Sequence, residues 1–549
     1  MKFEDLLQDT GGFGKFQILV LFLLAIPKIN LPFHFLLNNF IAVIPAHHCA
    51  LRDENGFGNL TEEELLLISI PREPDGTFSS CKMYREPQGH LLDRSYWGPP
   101  NNSTWGPPNA SNLQSCRDGW VYDHSQFTST IATQWDLVCE QKWLNKASST
   151  FFFIGVMVGA ILNGYLSDRY GRRTMLLVCS VLTLVFEVTA AASVNYPMFA
   201  VFRSLSGMSL SAVPVVTTAL SVEWVEVKHR FKAWCMSSIF WPIGIMLLSL
   251  VAYLIRDWRW LLIAAMSPYV FIIISIWWLP ESARWLLTKG KVKEAHTLLV
   301  RCSSMNSQAH FGLSPNVLSK IAEDENARTH YSFVNLFRTR EMRKISICTG
   351  LVWFGVAFSY YGISLNITGF GLDMYMTNFI YGAIEIPFRL GLYVFMKKRS
   401  RRQIQAWSIL VAGSFIGINT MIPVSLGPLQ TTIATLGKGF SGAAFTVLYL
   451  YTAELYPTVL RQNGIGYNLF LSRIGVSLAP LILLLDEVWK VLPQVIYCSV
   501  AIACGLVAFL LPETLNVGLP DTVKDVEETR SKTICPTKDP REDVHSHKF

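Results

Sequence analysis

The stretch Gly164-Tyr165-Leu166-Ser167-Asp168-Arg169-Tyr170-Gly171-Arg172-Arg173 lies between two long apolar segments and carries four charged residues. A short charged turn in this position is typical of two membrane helices that are joined on the cytoplasmic side. Its aspartate and arginines can pair with the end of a neighbouring helix and with the helix dipole. The stretch therefore predicts a helical membrane protein, and it is a candidate gate at one face of that protein.

A second copy of the same plan follows later in the chain. Glu223 and Arg230 recur as Glu454 and Arg461, at an offset of 231 residues (223 to 454, 230 to 461). Leu-Pro-Glu-Ser at 279–282 likewise recurs as Leu-Pro-Glu-Thr at 511–514. We interpret these repeats as an internal duplication into two halves of about six spans each. Duplicated membrane halves are typical of secondary transporters.

The composition agrees with a membrane protein, since 51% of the 549 residues are hydrophobic and 16% are charged. A helix of ~20 apolar residues is needed to cross a bilayer. Pro27 and Pro32 predict that the first span is kinked or broken. We predict twelve spans, at 16–45, 146–166, 174–193, 197–220, 233–255, 260–280, 345–365, 375–396, 404–424, 429–451, 463–485 and 491–511.

The distribution of basic residues predicts the orientation in the membrane. Lysine and arginine are concentrated in alternate loops, at 169–173, 228–232 and 397–402, whereas the opposite loops at 193–197 and 423–429 carry none. By the positive-inside rule both termini are then cytoplasmic. The net charge of +7 follows largely from this topology and does not indicate nucleic-acid binding. We therefore expect a multi-pass protein of the plasma membrane, for which the basolateral membrane of an epithelium is one option.

A polar segment between the first two spans is expected to be extracellular. It contains four cysteines, Cys49, Cys81, Cys116 and Cys139, which in an oxidising compartment predict two disulfides with three possible pairings. It also contains glycosylation sequons at Asn59, Asn101, Asn102 and Asn109. The predicted segments are a cytoplasmic N-terminus (1–15), the first helix (16–45), an extracellular loop (46–144), the other helices of the first half (146–280), a cytoplasmic linker (281–344), the second half (345–511) and a cytoplasmic tail (512–549).

Signatures of enzymes and of ATP-driven pumps are missing from the sequence. The segment Gly437-Lys438-Gly439 does not complete a phosphate-binding loop, and the cysteines have no metal-ligand spacing. We therefore predict a protein that is not an enzyme and uses no cofactor, no metal ion and no ATP.

The charged loop residues are candidate gating residues. Glu223 with Arg230, and Glu454 with Arg461, are expected to form equivalent clasps that hold one face closed. The first half adds Asp168, Arg169, Arg172 and Arg173. The alternative is that these charges only set the topology, and for Arg173 we favour that alternative.

Ionisable residues inside the spans are the stronger functional signal, because each costs at least ~2.5–3.5 kcal/mol at membrane depth. Arg473 lies well inside the eleventh predicted span and has no acidic neighbour at helical spacing, so it is a candidate anchor for an anion. The alternative is a structural pair with an acid of another helix, such as Glu385. Arg389 follows Glu385 by four residues, so these two side chains can neutralise each other.

Aromatic residues accompany these charges and predict a cavity that suits an amphipathic organic anion. The rings would cover the apolar body of the anion, and the guanidinium would bind its carboxylate. They lie in the fifth, seventh and tenth predicted spans, at Trp241, Trp353, Tyr360, Tyr361, Phe445 and Tyr449.

Several motifs resemble the organic ion transporters of solute carrier family twenty-two, which belong to the major facilitator superfamily. They are Phe-Glu-Asp-Leu-Leu at the start, Ser-Thr-Ile-Ala-Thr-Gln-Trp-Asp-Leu-Val-Cys at 129–139, the charged turn at 164–173, Pro-Glu-Ser-Ala-Arg-Trp-Leu and Glu-Leu-Tyr-Pro-Thr-Val-Leu-Arg-Gln. The resemblance extends over residues 1–520. It implies the major facilitator fold, with twelve helices in two six-helix halves and a loop domain after the first helix.

The resemblance also implies a substrate class. Anion carriers of this family have a basic residue at the position of Arg473 and a second one at the position of Arg389. The aromatic residues named above match the lining of the family's cavity, and Asn39 matches its pattern in the first span. Phe35 stands where other anion carriers have a polar residue, which implies a more apolar substrate. The sequence is most similar to the organic anion transporter two branch, and a prostaglandin-specific relative of that branch makes a prostaglandin a candidate substrate.

We therefore predict a carrier that moves an organic anion by alternating access, in uniport or in exchange for another anion. One alternative is an organic cation or zwitterion carrier that uses Glu385 or Asp373. Another alternative is a membrane receptor that signals through the extracellular loop without transport.

Overall fold

The structure is a computed structural model that describes residues 3–51, 61–73, 76–92, 112–307, 317–320, 334–365, 373–423, 426–457, 460–515, 523 and 526–527. Within these residues, eleven helices are long and apolar enough to cross a membrane, and a shorter apolar helix follows them. We number them as spans one to twelve: Lys15–Ile41, Cys139–Tyr170, Arg172–Ala191, Tyr196–Trp224, Lys228–Leu254, Trp258–Ile276, Arg340–Leu365, Met374–Met396, Arg401–Met421, Gly427–Leu455, Asn463–Glu487 and Leu492–Ala508.

Span one contains a break, but not at its prolines. The helix Lys15–Phe35 continues through Pro27 and Pro32, and a separate short helix, Asn38–Ile41, follows. Proline removes a hydrogen bond from a helix, and packed neighbouring helices tolerate that loss. The break therefore comes after Pro32, between Phe35 and Asn38.

Glycines let spans two and four approach each other closely. A Cβ atom on Gly155 would lie 2.0 Å from the carbonyl oxygen of Ser204, and one on Gly159 would lie 2.0 Å from that of Met208. From the other helix, a Cβ atom on Gly207 would lie 2.4 Å from the carbonyl oxygen of Phe152. Lipid supplies no hydrophobic driving force for the association of two helices. The close packing that small residues allow stabilises such crossings instead. The two halves of the chain meet mainly where span two packs on span eleven and span five packs on span eight.

The segment between spans one and two forms a small lobe that two disulfides hold together. The bonds are Cys49–Cys116 and Cys81–Cys139, so one of the three possible pairings is present. Strand His47–Cys49 pairs antiparallel with Trp120–Tyr122, and strand Lys82–Tyr84 pairs with Leu113–Ser115. The sequons at Asn59, Asn101, Asn102 and Asn109 lie outside the described residues. We call the membrane face that carries this segment the lobe face, and the opposite face the loop face.

At the loop face, the duplicated Leu-Pro-Glu motif caps a helix in each half. The carboxylate of Glu281 accepts hydrogen bonds from the backbone N–H groups of Arg172 (2.9 Å) and Arg173 (3.1 Å), at the start of span three. The carboxylate of Glu513 accepts the equivalent bonds from Arg401 (2.9 Å) and Arg402 (3.3 Å), at the start of span nine. A carboxylate at a helix N-terminus satisfies orphan N–H groups and complements the dipole.

These two caps differ in electrostatics. Burial raises the pKa of Glu281 above its usual value, although backbone N–H groups donate to the carboxylate. Burial acts in the same direction on Glu513, but hydrogen bonds from Ser400 and from the backbone of Leu515 and Arg401 outweigh it and lower that pKa. As the pH falls, the cap of the first half is therefore protonated before the cap of the second half.

The glutamates of the two Glu and Arg repeats have equivalent arginine partners at the loop face. Glu223 pairs with Arg172 at 3.2 Å, and Glu454 pairs with Arg401 at 3.5 Å. Arg230 donates to the carbonyl oxygens that end span four. The pairing of Glu223 with Arg230 and of Glu454 with Arg461 stays a prediction. Each carboxylate meets the first residue of an equivalent helix, so the repeat is kept in the structure.

The other predicted gating residues lie around the first clasp. Asp168 in the last turn of span two pairs with Arg172 at the start of span three, at 2.7 Å. Arg173 donates to the carbonyl oxygens of Ile276 (3.2 Å) and Trp277 (2.9 Å), so it ties span three to the end of span six. The guanidinium of Arg169 lies over the ring of Tyr170.

Replacement of Gly171 by alanine should destabilise the loop face. Gly171 has φ 107° and ψ 152°, a conformation that is essentially restricted to glycine. An added Cβ would also lie 2.6 Å from Oε2 of Glu281. We expect a loss of about 1–3 kcal/mol from the backbone alone, measured as a lower melting temperature of the detergent-purified protein. Gly290→Ala is the control, because Gly290 also has a positive φ (+71°) but a Cβ added there would have no atom within 4 Å. Equal melting temperatures for the two variants would contradict the role of the Glu281 contact.

Candidate binding site between the two halves

Phe35 is the centre of an aromatic cluster that joins both halves of the protein. Its ring lies 5.7 Å from Trp241 of span five and 6.2 Å from Tyr361 of span seven, measured between ring centroids. Phe152 and Phe153 of span two lie 5.7 and 5.8 Å away. Sequence analysis predicted Phe35, Trp241 and Tyr361 as lining residues, and the structure brings them together. It adds Phe152 and Phe153, which the resemblance did not indicate.

Arg473 of span eleven reaches this cluster. Its guanidinium carbon lies 5.5 Å from the centroid of the Phe35 ring, and its charge acts on the side chains of Tyr361 and Tyr449. The side chain is half-buried, and its buried Nε atom has no hydrogen-bond partner within the described residues. Its neighbours are therefore aromatic rings and a phenol hydroxyl, and no described carboxylate forms an ion pair with it. A guanidinium in such surroundings is suited to bind an anion.

A second aromatic group lies beside Arg473, on spans seven and ten. Trp353 is fully buried, donates to Oγ1 of Thr452 at 2.8 Å, and packs against Tyr449 (4.5 Å) and Phe445 (6.0 Å). Trp234 of span five covers the other side of Tyr449, at 4.6 Å. The predicted residues Trp353, Phe445 and Tyr449 thus form one wall, and the hydrogen bond of Trp353 fixes its orientation.

Glu385 of span eight forms the most strongly charged buried group in the second half. Its carboxylate is fully buried and pairs with Arg389 at 2.6 Å and with Lys438 at 3.3 Å. The hydroxyl of Tyr360 donates to the same carboxylate at 2.8 Å, and Nε1 of Trp241 donates to that hydroxyl at 2.7 Å. The ammonium of Lys438 also lies 3.1 Å from the centroid of the Tyr360 ring and donates to Ser364.

The contacts of Arg389 match one of the two roles that the sequence left open for it, the pair with Glu385. Arg389 holds Glu385 with two nitrogens and donates to Thr446 and to the carbonyl oxygen of Ser238, so it is a structural partner in this conformation. The sequence analysis missed Lys438, because that residue was tested only against the phosphate-loop pattern. Its position eleven residues inside span ten was the signal that could have found it.

Asn39, also expected in the site, lies instead at its lobe end. It donates to the carbonyl oxygen of Ser364 at 2.7 Å and thereby joins span one to span seven. The next residue, Phe40, stacks on Tyr375 at 5.5 Å, and Tyr375 in turn contacts Phe127 of the lobe at 6.2 Å. These contacts between the halves close the site toward the lobe face.

The first half contributes a second buried ion pair, which supports the aromatic cluster from behind. Arg203 of span four pairs with Glu187 of span three, and its guanidinium lies 4.4 Å from the centroid of the Phe152 ring. It also donates to the carbonyl oxygen of His34, the neighbour of Phe35. The charges of Arg203 and Glu187 cancel. This ion pair therefore positions Phe35 and Phe152 without adding net charge to the site.

Comparisons with known proteins agree with this architecture. The family profile described as "Sugar (and other) transporter" matches residues 114–523. Solute carrier family 22 member 7 of Bos taurus is 48% identical over 530 residues, which cover 96% of each chain. The member 7 protein of Homo sapiens is 48% identical over 97% of each chain. Solute carrier family 22 member 6 of Danio rerio is 37% identical, over 96% of this chain and 94% of the relative.

Solved structures confirm the predicted fold. The partially occluded, inward-open form of the xylose transporter XylE from E. coli is 14% identical, with a TM-score of 0.59 over 92% of this chain and 99% of that one. XylE bound to 6-bromo-6-deoxy-D-glucose, described as a major facilitator superfamily protein, is 17% identical, with a TM-score of 0.52 over 71% and 90%. At these identities the likeness establishes the fold alone.

Neutralisation of Glu385 alone should destabilise the protein more than neutralisation of Glu385 together with Lys438. The variant Glu385→Gln leaves Arg389 and Lys438 buried without a carboxylate, and breaking a buried pair typically costs about 3–5 kcal/mol. We expect a lower melting temperature and a lower surface level for this variant. The double variant Glu385→Gln with Lys438→Met should recover part of the loss, because it removes one unpaired cation. A single variant that melts like the wild type would show that the network is not a stabilising element.

Proposed function

The chain belongs to solute carrier family 22 of the major facilitator superfamily, and on that premise we propose that it moves organic anions across the plasma membrane by alternating access. Its relatives are solute carriers and not enzymes. The observation that carries the proposal is Arg473, a half-buried guanidinium between the halves that pairs with no described carboxylate. An unpaired cation at this depth favours a substrate that brings the missing negative charge.

The proposed substrate is an amphipathic carboxylate, of which a prostaglandin is the example we would test first. Its carboxylate would bind the guanidinium of Arg473, and its apolar chain would lie against Phe35, Tyr361 and the Trp353 wall. Aromatic walls of this kind stabilise an apolar body by burial, at roughly 25 cal/mol per Å². A small polar anion would leave this surface uncovered, so the ring cluster favours the larger and more apolar substrate.

The proposed transport cycle uses the contacts at the two ends of the site. The lobe end is closed by Asn39 and Phe40 against span seven and span eight, whereas Arg172 and Arg401 form clasps at the loop face within each half. Substrate binding needs only a few kcal/mol of preference between the two states to shift their populations. We further propose that the lobe is extracellular, that both termini are cytoplasmic, and that another anion is carried in the return direction.

The buried network argues against the cation or zwitterion alternative. Glu385, the acid that such a carrier would use, already has two cationic partners and a phenol donor. The other acid considered, Asp373, is exposed at the start of span eight. A substrate cation would have to displace both Arg389 and Lys438 from Glu385, which leaves two buried positive charges unpaired.

Loss of the Arg473 guanidinium should abolish most of the anion uptake. A hydrogen-bonded pair with a charged group contributes about 1.5–3 kcal/mol, so we expect Arg473→Ala to lower the uptake of labelled prostaglandin E by roughly tenfold or more. Arg473→Lys should retain part of it, because the charge remains while the planar fork is lost. Uptake is measured in cells that express each variant, normalised to the amount at the cell surface.

Lys490→Ala serves as the control, because Lys490 is an exposed basic residue between spans eleven and twelve. It should transport like the wild type. Equal uptake by wild type and Arg473→Ala would place the anion site elsewhere. Accumulation of a quaternary ammonium, with no anion taken up, would support the cation carrier, and ligand binding without accumulation of any substrate would support the receptor.

A further inference from the structure

We infer that Lys28 of span one is a second anion anchor in the same cavity, so that the carrier selects anions with two acceptor groups about 10 Å apart. This inference rests on the proposed function. The ammonium of Lys28 donates to the hydroxyl of Ser237 in span five at 2.6 Å. The side chain is half-buried, in the middle of a span that extends from Lys15 to Ile41.

The surroundings of Lys28 leave its charge uncompensated. A neutral hydroxyl is the one polar partner that the described structure gives it, whereas two buried cations of the second half, Arg389 and Lys438, share Glu385. Lys28 follows the start of the span by thirteen residues, or roughly 20 Å of helix. A lysine side chain cannot reach the membrane surface over that distance. An ammonium at this depth therefore requires water or an anion from the cavity.

The helical register directs Lys28 into the site and away from lipid. Lys28 precedes Phe35 by seven residues, and residues seven apart lie on nearly the same face of an α-helix. Phe35 is the ring that contacts Arg473. The exposed residues Ile18 and Phe22 of the same helix lie on a different face, with Phe22 turned by about 120° from Lys28.

Span five faces span one at two positions. Ser237 lies at the end of the first helix of this span, Val227–Ser238, and Trp241 lies at the start of the next, Phe240–Leu254. Phe35 meets Trp241 at 5.7 Å, and Lys28 meets Ser237 one layer nearer to the loop face. Spans one and five thus present two successive layers to the cavity, an aromatic layer next to Arg473 and a cationic layer at Lys28.

The spacing of the layers defines the chemical class of the ligand. Seven residues of α-helix correspond to roughly 10 Å along the axis. An elongated anion with a carboxylate at Arg473 could therefore place a second carboxylate or sulfonate at Lys28, with its apolar chain along the rings between them. The hydroxyl of Ser237 accepts a hydrogen bond from the ammonium, and the positive charge of Lys28 is what attracts the incoming acceptor.

The test is a competition experiment in which linear dicarboxylates, from succinate to dodecanedioate, inhibit the uptake of a labelled anion. Each dicarboxylate is compared with the monocarboxylate of the same length. In the wild type, the advantage of the dicarboxylate should rise to a maximum at an intermediate length. In Lys28→Met, which keeps an unbranched side chain of similar size, the maximum should disappear and the affinity ratio should fall about tenfold, as expected for the loss of one charge-assisted contact. Lys28→Arg should retain the maximum.

Ser237→Ala is the matched variant, because it removes the hydroxyl that pairs with Lys28 and keeps the ammonium of Lys28. It should retain the length preference, and Lys28→Gln is the second charge-removing variant if Lys28→Met does not reach the cell surface. A length preference that persists in Lys28→Met, or that Ser237→Ala abolishes while Lys28 is intact, would overturn the inference. These outcomes are distinct from a failure of the proposed function, in which the wild type takes up no anion or Arg473→Ala has no effect.

Discussion

The cost of placing charge inside a membrane is the constraint on which the arrangement of this protein depends. Each buried carboxylate that the structure describes within the spans has at least one cationic partner: Glu187 has Arg203, and Glu385 has both Arg389 and Lys438. An acid without a partner at this depth would be strongly destabilising. Positive charge is distributed differently, since neither Arg473 nor Lys28 forms an ion pair with a carboxylate among the described residues. The interior between the halves is therefore left with an excess of positive charge.

Sequence periodicity and repeats predicted much of the fold, because they depend on local rules. The offset between the two Leu-Pro-Glu motifs indicated a duplication, and in the structure Glu281 and Glu513 cap equivalent helices. The choice of partners could not be predicted in the same way. Glu223 and Glu454 pair with the first residues of spans three and nine, and that choice depends on how the helices are rotated and packed, which no spacing along one helix encodes.

The candidate site was predicted best where single residue types carry the signal. Arg473 and the aromatic residues around it came from chemistry and from resemblance, and the structure brings Arg473, Trp241 and Tyr361 together around Phe35. Lys438 and Lys28 were missed for another reason. Each is a single lysine within an apolar segment, so its depth in the span marks it as a candidate, and the neighbouring helix shows whether an acid faces it. Asn39 was assigned to the cavity by pattern, and the structure places it at the lobe end of the site, where it donates to the carbonyl oxygen of Ser364.

The two halves contribute differently to the candidate site, although they carry the same repeated motifs. Their loop-face clasps are equivalent, as expected if both halves must move together during a transport cycle. Their interiors are not equivalent, because the first half balances Arg203 with Glu187 behind Phe152, whereas the second half contributes Arg473 and the network around Glu385. Symmetric contacts at the surface suit a motion that both halves perform, and asymmetric charge in the centre suits the recognition of a substrate that has a charged end and an apolar end. Span one connects these two roles, because Phe35 belongs to the first half and its ring contacts the guanidinium of the second.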